Sequence, residues 1–173
     1  MGDSMMDIFE AIATRRSVRH FTGEPVTDSE IDRILEAGRA APSGKNNQPW
    51  RFIVVRDAGA MERMSQHTYY SRVMREADAL IAVFLDRSAV YNRDKDLHGL
   101  GACMQNMWLA AHALGVGVCW NGEIINQRQP VEDILDVPEE VELMAVFCLG
   151  RPDPEKVGET PRKPMDELVL KRI

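Results

Sequence analysis

Apolar residues recur at three- and four-residue steps in several stretches of the chain, a spacing typical of amphipathic helices. The first such stretch covers residues 8–12. A second helix is expected to begin at Thr27, which forms a capping-box pattern with Glu30, and to stop before Pro42. The longest stretch ends at Gly115, where a helix cap is expected. Its apolar positions are Leu97, Leu100, Met104, Met107, Trp108, Ala111 and Leu114.

Continuous apolar runs predict buried strands between these helices. The three long runs cover residues 50–55, 79–85 and 141–150. A shorter run, GVCW at 117–120, predicts a fourth strand. Residues 58–66 and 71–77 predict two short helices, so helices and strands are mixed along the chain.

The carboxyl-terminal stretch has a different character from the rest. Four prolines with charges between them fill residues 151–164, a composition that excludes a long helix or a central strand. Apolar residues return in MDELVLKRI, residues 165–173. We therefore expect residues 151–173 to form an arm that docks on a partner subunit. No repeat or linker divides residues 1–173, which predicts a single domain.

Composition narrows the function classes. Of 173 residues, 45% are hydrophobic and 28% charged, and the net charge of −6 argues against general binding of nucleic acid or anionic membranes. No apolar run is long enough to span a bilayer, and the acidic first ten residues do not resemble a signal peptide. The three cysteines are odd in number and far apart, so we expect reduced, buried thiols and a cytoplasmic protein.

The stretch APSGKNNQPW, residues 41–50, superficially resembles a phosphate-binding P-loop. A P-loop requires four residues between its glycines and a Ser or Thr after the lysine. Here five residues separate Gly38 from Gly44, and Asn46 follows Lys45. The sequence therefore excludes a P-loop nucleotide hydrolase.

The stretch RRSVRHF, residues 15–21, is a candidate anion site. Arg15, Ser17 and Arg19 alternate, so in an extended segment their side chains share one side. Two guanidinium groups and a hydroxyl suit a phosphate. The alternative is that Arg15, Arg16 and Arg19 are ordinary solvated cations after a helix, where they favour its dipole.

Two further stretches are rich in small and amide residues. In residues 42–48, the side chains of Asn46, Asn47 and Gln48 suit the edge of a heteroaromatic ring, although a polar turn would look the same. Asn121 and Gly122 predict another turn. The four histidines lack metal-ligand spacing, and no nucleophile motif is present. An enzyme of this sequence would depend on a bound cofactor for its chemistry, and we expect no metal.

Taken together and in order, these stretches resemble the FMN-dependent nitroreductase family, in its compact branch. The resembling pieces are IFEAIATRRSVRHF, ILEAGRAAPSGKNNQPWRFIVV, AAHALGVGVCWNGE and LGRP…TPRKPMDELV. The resemblance implies an α+β three-layer sandwich with a central, mostly antiparallel sheet flanked by helices. It also implies an intertwined homodimer with two FMN sites at its interface, and an arm whose end adds a strand to the partner's sheet.

The same resemblance assigns residues to the cofactor. Arg15, Ser17 and Arg162 would hold the FMN phosphate, Arg16 lies beside them, and Arg19 would face the pyrimidine edge. Asn121 and Gly122, after Trp120, would present backbone groups to the flavin. The flavin bound mainly by the other subunit would be bordered by four residues: Pro42, Ser43, Gly44 and Asn46.

The function implied is hydride transfer from NAD(P)H through flavin N5, with ping-pong kinetics, to nitroaromatic, quinone or flavin acceptors. No side chain is assigned a catalytic role of its own. Alternatives are enone reduction, dehalogenation or oxygen-dependent flavin breakdown on the same fold, and a flavin-binding protein without turnover. Thr160 replaces an expected cation, and residues 71–75 lack the family's Asn and Lys, which implies weaker FMN binding.

Overall fold

A computed structural model describes residues 6–173 of the chain, so residues 1–5 lie outside the described part. Residues 6–173 form seven α-helices and one four-stranded sheet. The helices are α1 (Ile8–Thr14), α2 (Asp28–Arg39), α3 (Ala58–Ser65), α4 (Ser71–Glu76), α5 (Arg93–Ala113), α6 (Arg128–Leu135) and α7 (Met165–Leu168). The strands are β1 (Trp50–Val55), β2 (Ala79–Asp86), β3 (Gly117–Asn121) and β4 (Val141–Gly150).

Local signals determine where the two longest helices begin and end. The Thr27 hydroxyl accepts the Glu30 N–H at 3.2 Å and the Glu30 carboxylate accepts the Thr27 N–H at 2.8 Å, which confirms the capping box of α2. The Asn92 side chain caps α5 in the same manner through the Lys95 N–H. Gly115 follows the end of α5 with φ of +72°, a left-handed conformation that glycine adopts without strain.

The sheet has the order β1-β2-β4-β3, and all three pairings are antiparallel. Strand β2 is buried along its whole length because it pairs on both edges and is covered on both faces. Alternate β2 residues belong to two separate cores, one shared with α2 and α5 and the other with α3, α4 and α6. This confirms the predicted α+β fold with an antiparallel sheet between helical layers.

An extended segment, residues 15–22, runs along the outer edge of β3. The Val18 N–H donates to the Val118 carbonyl at 3.0 Å, and the Thr22 N–H donates to the Arg151 carbonyl at 3.0 Å. A Cβ on Gly117 would come within 2.8 Å of Val18, so the glycine permits this close approach. The fold therefore fixes the backbone that carries Arg15, Ser17 and Arg19.

Some features differ from the sequence predictions. Helix α6 was missed. Asn121 ends strand β3, and the predicted turn follows it directly as a 3-10 helix, Glu123–Gln127, whose Ile124 N–H donates to the Asn121 Oδ1. Cys103, Cys119 and Cys148 are free and buried, as predicted, and burial raises the pKa of Cys103 to about 12.

The arm leaves the domain after Asp153, and nearly all of residues 154–173 are exposed. Its apolar residues Met165, Leu168, Leu170 and Ile173 contact solvent, and Leu170 is 98% exposed. Within residues 6–173, none of the helices combines the length and apolarity required to span a membrane.

Candidate functional site

Three arginines from opposite ends of the chain lie near enough for the charges of two of them to act on the third, and we call Arg15, Arg16 and Arg162 the arginine cluster. The Cζ of Arg15 lies 4.0 Å from the centre of the Trp108 ring, in a cation–π arrangement. Burial lowers the pKa of Arg15, and the positive charges of Arg162 and Arg16 lower it further. The fold therefore places Arg162 of the arm near Arg15 of the first extended segment.

The arginine cluster has an uncompensated positive charge. Across residues 6–173, no carboxylate forms an ion pair with any of its three members. Arg16 donates to the carbonyls of Ala13 and Arg15, and Arg162 donates to the carbonyls of its own segment. Guanidinium groups gathered without a counterion form a suitable site for a phosphate or another oxyanion.

Ser17 and Arg19 follow Arg15 along the extended segment that lies beside β3. Ser17 is half-buried beside Val118, and Arg19 is exposed. Its main-chain carbonyl accepts a hydrogen bond from Arg72 at 3.3 Å, which holds the segment in place. Arg15 and Arg19 are four residue steps apart in an extended segment, a span of about 13 Å. An elongated ligand could therefore contact both cations at once.

An aromatic cluster lies beneath Arg15. Trp108 of α5, Trp120 of β3 and Phe147 of β4 pack with ring centres 5.4–6.3 Å apart. Trp120 is only partly buried, so part of this apolar surface faces solvent beside the segment that carries Arg15 and Arg19. Such a surface excludes water from one side of Arg15 and strengthens its attraction for an anion.

The end of β3 offers backbone groups but not the Asn121 side chain. Asn121 is fully buried, its Nδ2 donates to the Thr68 hydroxyl at 3.0 Å, and its Oδ1 accepts the Ile124 N–H. The Thr68 hydroxyl donates to Glu123 at 2.7 Å. A ligand at this end of the strand would contact the main chain of Asn121 and Gly122, as the family resemblance implies.

The loop over residues 42–48 has an unusual backbone. Lys45, Asn46 and Gln48 have φ values of +54°, +55° and +46°, in the left-handed region. Three such residues within four positions store strain, a feature that clusters at functional sites. A Cβ at position 44 would lie 2.2 Å from the Tyr91 hydroxyl, so a larger residue there would require the Tyr91 side chain to move.

The side chain of Asp96 stabilises this strained loop through hydrogen bonds. Its carboxylate is fully buried and accepts the N–H groups of Tyr91 and Asn92 at 3.0 Å each. It also accepts the side-chain amide of Asn47 at 2.8 Å, and that amide donates in addition to the Ala89 carbonyl. Asn47 therefore faces inward and is not available to a ligand edge, contrary to the sequence interpretation. The Ser43 hydroxyl completes the loop by accepting the Gln48 N–H.

The fold separates the candidate residues into two groups. Arg15 stacks on Trp108 of α5, whereas Pro42 and Ser43 pack against Gly99, nine residues earlier on the same helix. That separation corresponds to about 14 Å along the helix axis. In one chain, the loop with Pro42, Ser43, Gly44 and Asn46 therefore lies apart from the arginine cluster.

Sequence inspection missed several residues that shape these two groups. Thr68, Asp96 and Glu123 lie far in sequence from the residues that they hold, and no local motif signals such contacts. His112 could have been noticed, because it lies one helical turn after Trp108 on α5. Its Nε2 lies 2.8 Å from the Thr14 hydroxyl.

Comparison with known proteins agrees with this geometry. The profile of the Nitroreductase family matches residues 12–71 and 59–151, which cover both candidate groups except the arm. The chain belongs to the nitroreductase family. Members with solved structures include a protein from Desulfovibrio desulfuricans, assigned as a nitroreductase and crystallised in complex with FMN. It is 44% identical, with a TM-score of 0.92 over 97% of this chain and 98% of that one.

Two curated members of the family differ in the activity that their names state. A protein of Archaeoglobus fulgidus, named for NADH dehydrogenase or NAD(P)H nitroreductase activity, is 34% identical over 88% of this chain and 89% of its own. The 5,6-dimethylbenzimidazole synthase of Rhodospirillum rubrum is 31% identical and covers 87% of each chain. Family membership alone therefore does not choose between these chemistries.

Proposed function

We propose that the protein is an FMN-dependent NAD(P)H oxidoreductase that transfers hydride to a nitroaromatic, quinone or flavin acceptor. The observation that carries this proposal is the uncompensated arginine cluster, beside a partly exposed aromatic surface in a nitroreductase-family fold. The D. desulfuricans relative, which is complexed with FMN, and the A. fulgidus relative, whose name includes NAD(P)H, support it.

The residues present fit FMN. A phosphate dianion would compensate Arg15 and Arg162, with the Ser17 hydroxyl as a further donor. Arg19 would lie toward the ring end of the ligand, and main-chain groups of Asn121 and Gly122 would meet the ring. Bound FMN supplies the centre that accepts and donates hydride, while the protein supplies orientation and charge.

A second copy of the chain would complete the site. The loop that carries Pro42, Ser43, Gly44 and Asn46 contacts α5 nine residues before Trp108, on which Arg15 stacks, so a partner's loop is the one that would border the cluster. The apolar residues exposed on α1, with Phe9 at 78%, and on the arm offer surface for such a contact. We propose a homodimer in which residues 151–173 dock on the partner. We also propose a cytoplasmic location for the protein, because its three cysteines are unpaired.

One alternative on the same fold is the synthesis of 5,6-dimethylbenzimidazole, the activity that the name of the R. rubrum relative states. The alignment with that relative spans 191 positions but covers only 87% of this chain of 173 residues, so the synthase contains inserted segments that this chain lacks.

Absorbance spectroscopy tests the proposal directly. We expect the purified protein, incubated with FMN and desalted, to retain a flavin spectrum. Addition of NADH or NADPH under nitrogen should bleach this spectrum, and a nitroaromatic or quinone should restore it. Retained flavin that neither nucleotide bleaches would indicate a binding protein without turnover. A protein that stays colourless after incubation with FMN would refute the proposed function.

A further inference from the structure

We propose that His112 is a titratable member of the phosphate site, which takes up a proton when the phosphate of FMN binds beside Arg15. The affinity for FMN would then depend on pH through a side chain that the family resemblance does not assign. This inference rests on the proposed function, because the anion concerned is the phosphate of the bound cofactor.

The position of His112 links it to the arginine cluster. His112 lies on α5 one turn after Trp108, on whose ring Arg15 stacks. Thr14, directly before Arg15 in the chain, has its hydroxyl oxygen 2.8 Å from His112 Nε2. Thr14 and Arg15 therefore contact successive turns of the same face of α5, and the imidazole contacts the residue that directly precedes Arg15.

The hydrogen bonds identify which nitrogen can take up the proton. The single hydroxyl hydrogen of Thr14 is donated to the Glu10 carbonyl at 2.7 Å, because a carbonyl can only accept. The Thr14 oxygen must therefore accept from Nε2–H of His112. With Nε2 already protonated in the neutral ring, the additional proton binds Nδ1.

The surrounding charges make this proton uptake sensitive to an anion. Burial lowers the pKa of His112, Arg15 and Arg16 lower it further, and Glu10 of α1 raises it. A phosphate dianion on the arginine cluster would offset the two guanidinium charges and attract the imidazolium. Binding would thus raise the pKa of His112, and by linkage a lower pH would favour binding.

Titration of FMN into the protein, followed by flavin fluorescence between about pH 5.5 and about pH 8, tests this linkage. The proteins compared are the unchanged chain, His112→Gln, and His98→Gln as a control on the exposed face of the first turns of α5. The phosphate itself titrates near pH 6, so the informative quantity is the ratio of affinities between proteins. Riboflavin, which lacks the phosphate, serves as the control ligand.

The informative ratio is the FMN affinity of the unchanged chain divided by the FMN affinity of His112→Gln. We expect this ratio to grow about threefold to tenfold as the pH falls across this range. The corresponding ratio should not change with pH when His98→Gln takes the place of His112→Gln, or when riboflavin takes the place of FMN. A ratio for His112→Gln that is constant with pH would overturn the inference while leaving the proposed function intact.

A second measurement needs no variant. Nuclear magnetic resonance of histidine-labelled protein should show the pKa of His112 rising when FMN is added, and an unchanged pKa would also overturn the inference. If the unchanged chain binds no FMN at any pH, the proposed function fails and this inference falls with it.

Discussion

Burial lowers the pKa of Arg15, and the like charges of Arg162 and Arg16 lower it further. An anion between them would convert this repulsion into attraction. We therefore expect Arg15→Gln and Arg162→Gln each to weaken FMN affinity by about tenfold to a hundredfold, the range for a lost charge-assisted hydrogen bond. Equilibrium titration with FMN measures this effect.

In the cofactor-free protein, Arg162→Gln should leave the stability unchanged, whereas Arg15→Gln should lose up to about 1 kcal/mol of unfolding free energy because it removes the stacking on Trp108. Arg33→Gln is a matched control, because Arg33 is exposed on α2, away from the arginine cluster. A loss of FMN affinity in Arg33→Gln as large as in Arg15→Gln would contradict the assignment of the phosphate site.

Among structural elements, the 42–48 loop depends most on one buried contact. Burial opposes the charge of Asp96, but hydrogen bonds from Asn92, Asn47 and Tyr91 hold its pKa below the ordinary value. In Asp96→Asn, either orientation of the new amide places an N–H group against another N–H donor. We expect a loss of about 1–3 kcal/mol of unfolding free energy and weaker FMN binding.

The contribution of the Asp96 carboxylate to the unfolding free energy should depend on pH, which distinguishes it from other contacts. Because the folded-state pKa of Asp96 is depressed, its stabilisation is complete above the unfolded-state pKa and is lost as the pH falls through the folded-state value. Urea unfolding at about pH 7 and again below about pH 4 measures how much unfolding free energy each protein loses on acidification. This loss should be smaller for Asp96→Asn than for the unchanged chain. Asp94→Asn, an exposed neighbour on the same helix, should behave as the unchanged chain does; equal behaviour of both variants would contradict the prediction.

The elements show which parts of the fold can be predicted from sequence. The start of α2 and the buried strand β2 depend on neighbouring residues, so the capping box and the apolar run were sufficient. Helix α6 was missed although Val131, Ile134 and Leu135 have helical spacing, and Pro130 lies in its first turn, where proline is tolerated. The left-handed backbone of residues 45–48 could not be predicted, because contacts with the distant Tyr91 and Asp96 impose it.

At the scale of the whole molecule, the candidate site is divided between two places that one chain does not join. The sequence supplied both groups of candidate residues but not their separation, because that separation depends on how α5 packs against the 15–22 segment and the loop. Similarity to the family led us to expect a dimer, and the separation gives the dimer a physical reason. The assignment of individual residues to FMN stays a prediction.

The arm provides the test of that dimer. Leu168 and Leu170 are exposed in the single chain, and burying a leucine against a partner contributes about 1.5–3 kcal/mol. The double variant Leu168→Ser/Leu170→Ser keeps Arg162 in place, so it removes the proposed contact without removing a phosphate ligand. We expect its dimer dissociation constant, measured by analytical ultracentrifugation, to rise at least about a hundredfold, because each dimer contains two arms. FMN affinity should fall in parallel, since the partner's loop would no longer border the site. Lys171→Ser/Arg172→Ser changes charged residues of the same arm and should affect neither quantity. A dimer of unchanged strength in the leucine variant would show that the arm docks elsewhere or not at all.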